Sequence, residues 1–99
     1  MELLPAFMRN ALCRAQGQII EIYVNNPDGR YEDSELRKIV EEPWWAFYPA
    51  LWELIASENG LREELVKRRW LPWPHRYYTL TEGGRAAFPK FLYFPEDDA

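Results

Sequence analysis

Phe47-Tyr48-Pro49-Ala50-Leu51-Trp52-Glu53-Leu54 is the stretch on which the fold turns, and Tyr77-Tyr78-Thr79-Leu80-Thr81-Glu82-Gly83-Gly84-Arg85-Ala86 is its downstream counterpart. In the first, Phe47, Leu51, Leu54 and Ile55 recur at helical spacing, so one face is apolar and the segment reads as a helix. The second alternates over its first four residues as a strand does. Tyr77 and Thr79 fall on one side, Tyr78 and Leu80 on the other. Thr81 then stands where a helix N-cap hydroxyl belongs.

The helix around Tyr48 is expected to run over residues 44–57. At 100° per residue, Trp44, Phe47, Ala50, Leu51, Leu54 and Ile55 share one face. Trp45, Tyr48 and Trp52 form a flanking aromatic stripe, and Ala46, Pro49, Glu53 and Ala56 point away. Asn59-Gly60 suits a left-handed cap at its end. Upstream, Leu4, Met8, Ala11, Ala15, Ile19 and Ile22 step by threes and fours, an amphipathic helix of about five turns. Gly17 is its weak point, at a cost of about 1 kcal/mol relative to Ala. The run Asn25-Asn26-Pro27-Asp28-Gly29 stops it with strong turn chemistry. Arg30 and Tyr31 suit a short extended piece. Asp33 or Ser34 can cap a second helix that turns Leu36, Ile39 and Val40 inward, and Pro43 closes it or opens the next.

Beyond the central helix, part of residues 61–70 reads as a strand through Leu65 and Val66. Leu71-Pro72-Trp73-Pro74-His75 is a tip loop, and residues 76–80 are the returning strand. A short last helix follows to Phe88, with Pro89 as its stop. Phe91-Leu92-Tyr93-Phe94 is apolar, and the last five residues form an acidic tail. This order is mainly α with a small β wing, the outline of a winged helix-turn-helix. It divides into an N-terminal helix (1–26), a helix-turn-helix (30–60), a wing (61–80) and a short C-terminal helix with its tail (81–99), all in one domain.

Ninety-nine residues suffice for one modest core. Five Trp are more than such a core needs, so some are expected at an interface. One Cys and one His exclude a zinc site built from this chain alone, and no cofactor is expected. Cys13, among apolar neighbours, is expected to be a buried and unreactive thiol. No export signal is visible at the N-terminus and no run of about 18 apolar residues is present. With a lone Cys, this predicts a cytoplasmic protein.

The net charge of -4 is unevenly spread. Residues 31–60 carry Arg37 and Lys38 against seven acidic residues, whereas residues 61–90 carry seven basic residues against Glu63, Glu64 and Glu82. A local basic patch can steer toward phosphate even in an acidic domain.

Two motifs resemble the PadR-like winged-helix regulators. Tyr48-Pro49-Ala50-Leu51, followed by Leu54 and Gly60-Leu61, is similar to that family's recognition-helix signature. Tyr78-Thr79-Leu80-Thr81-Glu82-Gly83-Gly84-Arg85 is similar to its wing strand and the start of its last helix. Together they cover roughly residues 30–88. The resemblance implies a cytoplasmic, dimeric transcription factor, usually a repressor, without a catalytic role. Departures are visible too. Glu53 stands where a basic or neutral residue is common, and residues 56–59 lengthen the approach to Gly60. Pro89 cuts short the helix that members use to dimerise. That leaves the first helix and residues 91–94 as the expected dimer surfaces.

Reading base edges takes Arg, Lys, Asn or Gln on a major-groove helix. The outward positions assigned above supply none, so Trp45 and Tyr48 are the groove candidates, with packing as their alternative role. Lys67, Arg68, Arg69, His75 and Arg76 flank the wing and, with Arg37 and Lys38, suit phosphate contacts of little sequence preference. An ordinary solvated charge run is the competing reading. Trp45, Tyr48, Trp52, Trp70 and Trp73 offer flat surfaces for a partner or a planar hydrophobic ligand. Some PadR-like proteins hold planar compounds between tryptophans at their dimer interface, and the resemblance extends that expectation here. Core packing is the competing role for each ring.

Catalysis finds no support. Ser34, Ser57 and Cys13 have only the distant His75 as a base, and Gly83-Gly84 lacks the Lys-Ser/Thr of a phosphate loop. The leading expectation is a DNA-binding transcriptional regulator that anchors phosphates with the wing and enters the groove with the start of the third helix. The alternative is a winged-helix protein-interaction module that uses its aromatic stripe.

Overall fold

The computed structural model describes residues 5–67, 69–70 and 72–92, Leu92 by its backbone alone. Four helices and three strands follow one another as α1 (Ala6–Asn25), β1 (Arg30–Glu32), α2 (Asp33–Ile39), α3 (Trp44–Ala56), β2 (Leu61–Val66), β3 (His75–Leu80) and α4 (Glu82–Leu92). The sheet is antiparallel in the order β1-β3-β2. Tyr78 sits opposite both Tyr31 of β1 and Glu63 of β2, which puts these three on one face of the sheet. The architecture is therefore mainly helical with a small antiparallel sheet. No described helix is long and apolar enough to cross a membrane.

α1 runs unbroken through Gly17, because that position is open while the residues around it are held by packing. Ala11, Ala15, Ile19, Ile20 and Tyr23 are its buried face. They join Phe47, Leu51 and Leu54 of α3, Leu36 of α2, Leu61 of β2, Tyr78 of β3 and Phe88 of α4 in one core. No polar or charged residue is buried among the described residues.

Thr81 ties three elements together. Its hydroxyl accepts a hydrogen bond from Gly84 N at 2.9 Å, the expected N-cap of α4, and donates to Gly60 O at 2.8 Å at the head of β2. Gly60 and Gly84 approach too closely for a side chain. A Cβ on Gly60 would lie 2.0 Å from Leu54 O, and one on Gly84 would lie 2.4 Å from Gly60 O.

Several expectations need correction. α2 is capped by Glu32, not by Asp33 or Ser34, through a reciprocal capping box with Glu35. α3 ends at Ser57 in extended conformation, and neither Asn59 nor Gly60 has a positive φ. Ile39 and Trp44, assigned to the core, are 51% and 64% exposed, while Ala46, assigned outward, is fully buried. The buried positions of the packed pair α1 and α3 include Ala11, Ala15, Ala46 and Ala50. Such small side chains allow a close helix approach that an indole would block. Cys13 is exposed. α4 continues past Pro89 to Leu92, so Pro89 lies inside the helix rather than ending it. Leu4, Arg68, Leu71 and residues 93–99 lie outside the described residues; of the expected dimer surface at 91–94, Phe91 is described as half-exposed on α4 and Leu92 by its backbone.

Candidate functional site

The outer side of α3 is aromatic. Trp44, Trp45, Tyr48, Pro49 and Trp52 line an apolar groove of about 340 Å³. Helical spacing from Trp45 through Tyr48 to Trp52 builds it, and ring contacts with Phe47 and Phe7 support two of its rings. Tyr48 packs edge-on against buried Phe47 at 4.8 Å between centroids, and Trp45 packs edge-on against Phe7 of α1 at 6.2 Å. Tyr48 and Trp52 lie 6.0 Å apart with a 34° tilt. Trp52 is 61% exposed. Pro49 lies inside α3, where it cannot donate to the carbonyl of Trp45.

α3 carries one charged residue, Glu53. Its carboxylate accepts a hydrogen bond from Gln16 of α1, which turns that charge back onto the body of the protein. The turn between α2 and α3 is tied to α1 in the same way. Arg14 donates to Glu42 at 3.0 and 3.3 Å, and Gln18 accepts from Glu41 N at 2.7 Å. The Glu42 carboxylate raises the pKa of Arg14, first through the hydrogen bond and then through its charge.

The sequence candidates for phosphate contact separate into two groups. Lys38 on α2, and Lys67 and Arg69 next to the β2–β3 connection, are exposed. They make no hydrogen bond or ion pair among the described residues. The others are engaged. Arg37 donates to Glu42 O at 3.2 Å and stacks over Phe47 at 5.7 Å from the ring centroid. Arg76 pairs with Glu63 at 3.5 Å. His75 Nδ1 lies 2.6 Å from Glu32 Oε2, and its Nε2 is buried without a partner among the described residues. Arg68 lies outside the described residues.

Glu32 thus caps α2 and holds the first residue of β3 at once. The hydrogen bond from His75 is the largest cause that keeps its carboxyl below the ordinary range. Sequence reasoning missed this pair, because His75 and Glu32 are 43 residues apart and only the β1–β3 register joins them.

Of the five stacking candidates, Trp45, Tyr48 and Trp52 are brought together, and Trp44 and Pro49 complete their groove. Trp70 and Trp73 are not part of it. Trp70 is 81% exposed, and Trp73 lines a separate recess with Glu32, Ser34, Pro74 and His75. A metal centre finds no support among the described residues, where no group of three His, Cys, Asp or Glu converges. No protein-family model matches the chain, and no curated protein or solved structure is significantly similar to it.

Proposed function

We propose that the chain is a winged helix-turn-helix regulator of the PadR-like kind that holds duplex DNA. One observation carries the reading. The order α1-β1-α2-α3-β2-β3-α4, with strands β1-β3-β2, sets a helix pair before a β-hairpin whose connection bears Lys67 and Arg69, exposed and without a partner among the described residues. Of the first motif, Tyr48 to Leu54 lie on α3 and Gly60-Leu61 lead into β2, and the second runs across β3 into the capped start of α4, an arrangement that supports this reading. Lys38, Lys67 and Arg69 neutralise phosphates, and the start of α3, with Trp45 and Tyr48, enters the groove. Because α3 offers neither Arg, Lys, Asn nor Gln to base edges, binding rests on the backbone more than on sequence. A regulator of this kind acts in the cytoplasm as a homodimer.

A titration of labelled duplex followed by fluorescence anisotropy tests this. Binding that weakens at least tenfold in the Lys67→Ala/Arg69→Ala variant supports it. Absence of binding by the unaltered protein at low salt overturns it.

A second reading is favoured by the groove on α3. With Trp44 and Trp52 exposed and no cation on the helix, this face also suits a protein-interaction module. In that case Trp52→Ala removes partner capture and the Lys67→Ala/Arg69→Ala pair leaves it unchanged.

A further inference from the structure

Between the start of α2, the second half of α3 and the inner face of β2 and β3 lies an open recess of about 480 Å³. That is the size of many small-molecule sites. Its charged groups are Asp33, Glu63 and Arg76, and its rings are Tyr48, Trp52 and Tyr78. Glu63 is already engaged, by Arg76 at 3.5 Å and by the Tyr78 hydroxyl, which donates to it at 3.2 Å. The one positive charge among the recess's described residues is therefore matched. Asp33 is not. Its carboxylate makes no hydrogen bond or ion pair among the described residues, although it lines the recess. The Tyr78 phenol registers the resulting field. Burial raises its pKa most, and the charges of Glu63 and Asp33 raise it further.

Tyr48 and Trp52 are shared with the apolar groove of Trp44, Trp45 and Pro49. The two hollows thus form one surface with an electronegative, ring-lined end and a purely apolar end. Aromatic faces attract cations through the ring quadrupole, most strongly when a carboxylate stands nearby and water is partly excluded. An anion would meet the unpaired Asp33 carboxylate. A divalent metal would need several converging oxygen ligands, and the described residues offer no such group.

We propose that this surface binds an amphipathic organic cation, an ammonium carrying an aromatic or alkyl arm. The head lies between Asp33 and the rings of Tyr48, Trp52 and Tyr78, and the arm lies over Trp44, Trp45 and Pro49. The site lies within one chain and needs no duplex to form; because it shares Trp45 and Tyr48 with the proposed groove contact, it is tested on the DNA-free protein.

The test is a titration of the full chain with benzyltrimethylammonium, followed by amide and indole N–H resonances, with phenylacetate and benzyl alcohol as anionic and neutral controls. Saturable shifts at Asp33, Trp52 and Tyr78 are expected with the ammonium alone. Asp33→Asn is expected to weaken binding about tenfold, the scale of one lost, partly desolvated charge contact, and Trp52→Ala at least as much. Circular dichroism establishes that both variants are folded. Should Asp33→Asn shift the fold, Glu63→Gln supplies the same charge loss on the other wall. Equal binding of the three probes would reduce the site to an apolar patch and overturn the proposal. So would unchanged affinity in folded Asp33→Asn, or no saturation with the ammonium.

Discussion

The hydroxyl of Tyr23, in the last third of α1, donates a 2.7 Å hydrogen bond to the backbone carbonyl of Tyr78, in the middle of β3. Fifty-five residues separate the two, and both rings are buried. The bond fixes the sheet against the longest helix. Tyr23 also packs edge-on against Tyr31 of β1 and Phe88 of α4, so this one side chain of α1 touches three other elements.

Tyr23→Phe keeps the ring and deletes the bond. It is expected to cost about 1–2 kcal/mol, the usual effect of losing one buried hydrogen bond, measured as a shift in urea midpoint at constant slope. Burial raises the pKa of both Tyr23 and Tyr78. A raised phenol pKa gives stability that is full below the ordinary value of 10.0 and is lost as pH rises above it. Alkaline unfolding is therefore expected to begin above pH 10, and earlier titrations of these tyrosines would contradict the packing described.

Gly60→Ala is expected to be the most damaging of the conservative changes. Its Cβ would collide with the Leu54 carbonyl, which belongs to α3 and cannot swing aside like a side-chain tip. A loss of roughly 3 kcal/mol or more is anticipated, within the range of strongly overpacked sites. Thr81→Val, which removes the cap of α4 and the bond to Gly60, is expected to cost about 1 kcal/mol. Thermal midpoints of both variants check the order.

Acid sensitivity follows from Glu32. Its carboxyl lies below the ordinary value of 4.5, chiefly through the hydrogen bond with His75. A lowered carboxyl pKa gives stability that is present above the ordinary value and lost as pH falls through the folded-state value. Between pH 5 and pH 3 the unaltered protein is expected to lose more thermal stability than His75→Ala. Equal losses would show that the pair does not hold β3 to the cap of α2.

Pro49 inside α3 breaks a local rule without a packing gain, since it lies on the outer groove and not in the core. Pro49→Ala restores a donor to the Trp45 carbonyl and is expected to raise stability by about 1–3 kcal/mol. The gain should come with weaker occupancy of the α3 groove. A stability loss would place Pro49 among the residues that hold the fold.

Much of this architecture is legible in the sequence because it rests on local chemistry. The Asn-Asn-Pro-Asp-Gly turn, the alternation of Tyr77 to Leu80 and the Thr81 cap each act within a few residues. What sequence reading misses is decided by distant neighbours. Hydrophobicity puts Trp44 inside and Ala46 outside, but close packing of α1 on α3 favours the small side chain and expels the large one. The expected left-handed cap at Gly60 fails for a related reason. Gly60 is needed there for its missing Cβ against Leu54, not for its backbone freedom. For the candidate site, the aromatic stripe was visible as a helical repeat. The pairing of Arg76, His75 and Arg37 was not, because their partners come from the sheet register and from the α2–α3 turn.

The most direct test of the proposed function is the salt dependence of duplex binding, measured on the DNA upstream of the protein's own gene and on an unrelated duplex. Counted per bound protomer, the three exposed cations are expected to give a log–log slope against salt near −3, at about −0.9 per phosphate contact. The Lys67→Ala/Arg69→Ala variant should bring it near −1. Tighter binding of the upstream duplex would make the chain a regulator, whereas no binding of either duplex at low salt would contradict the proposal and leave the aromatic face of α3 as a protein-binding surface.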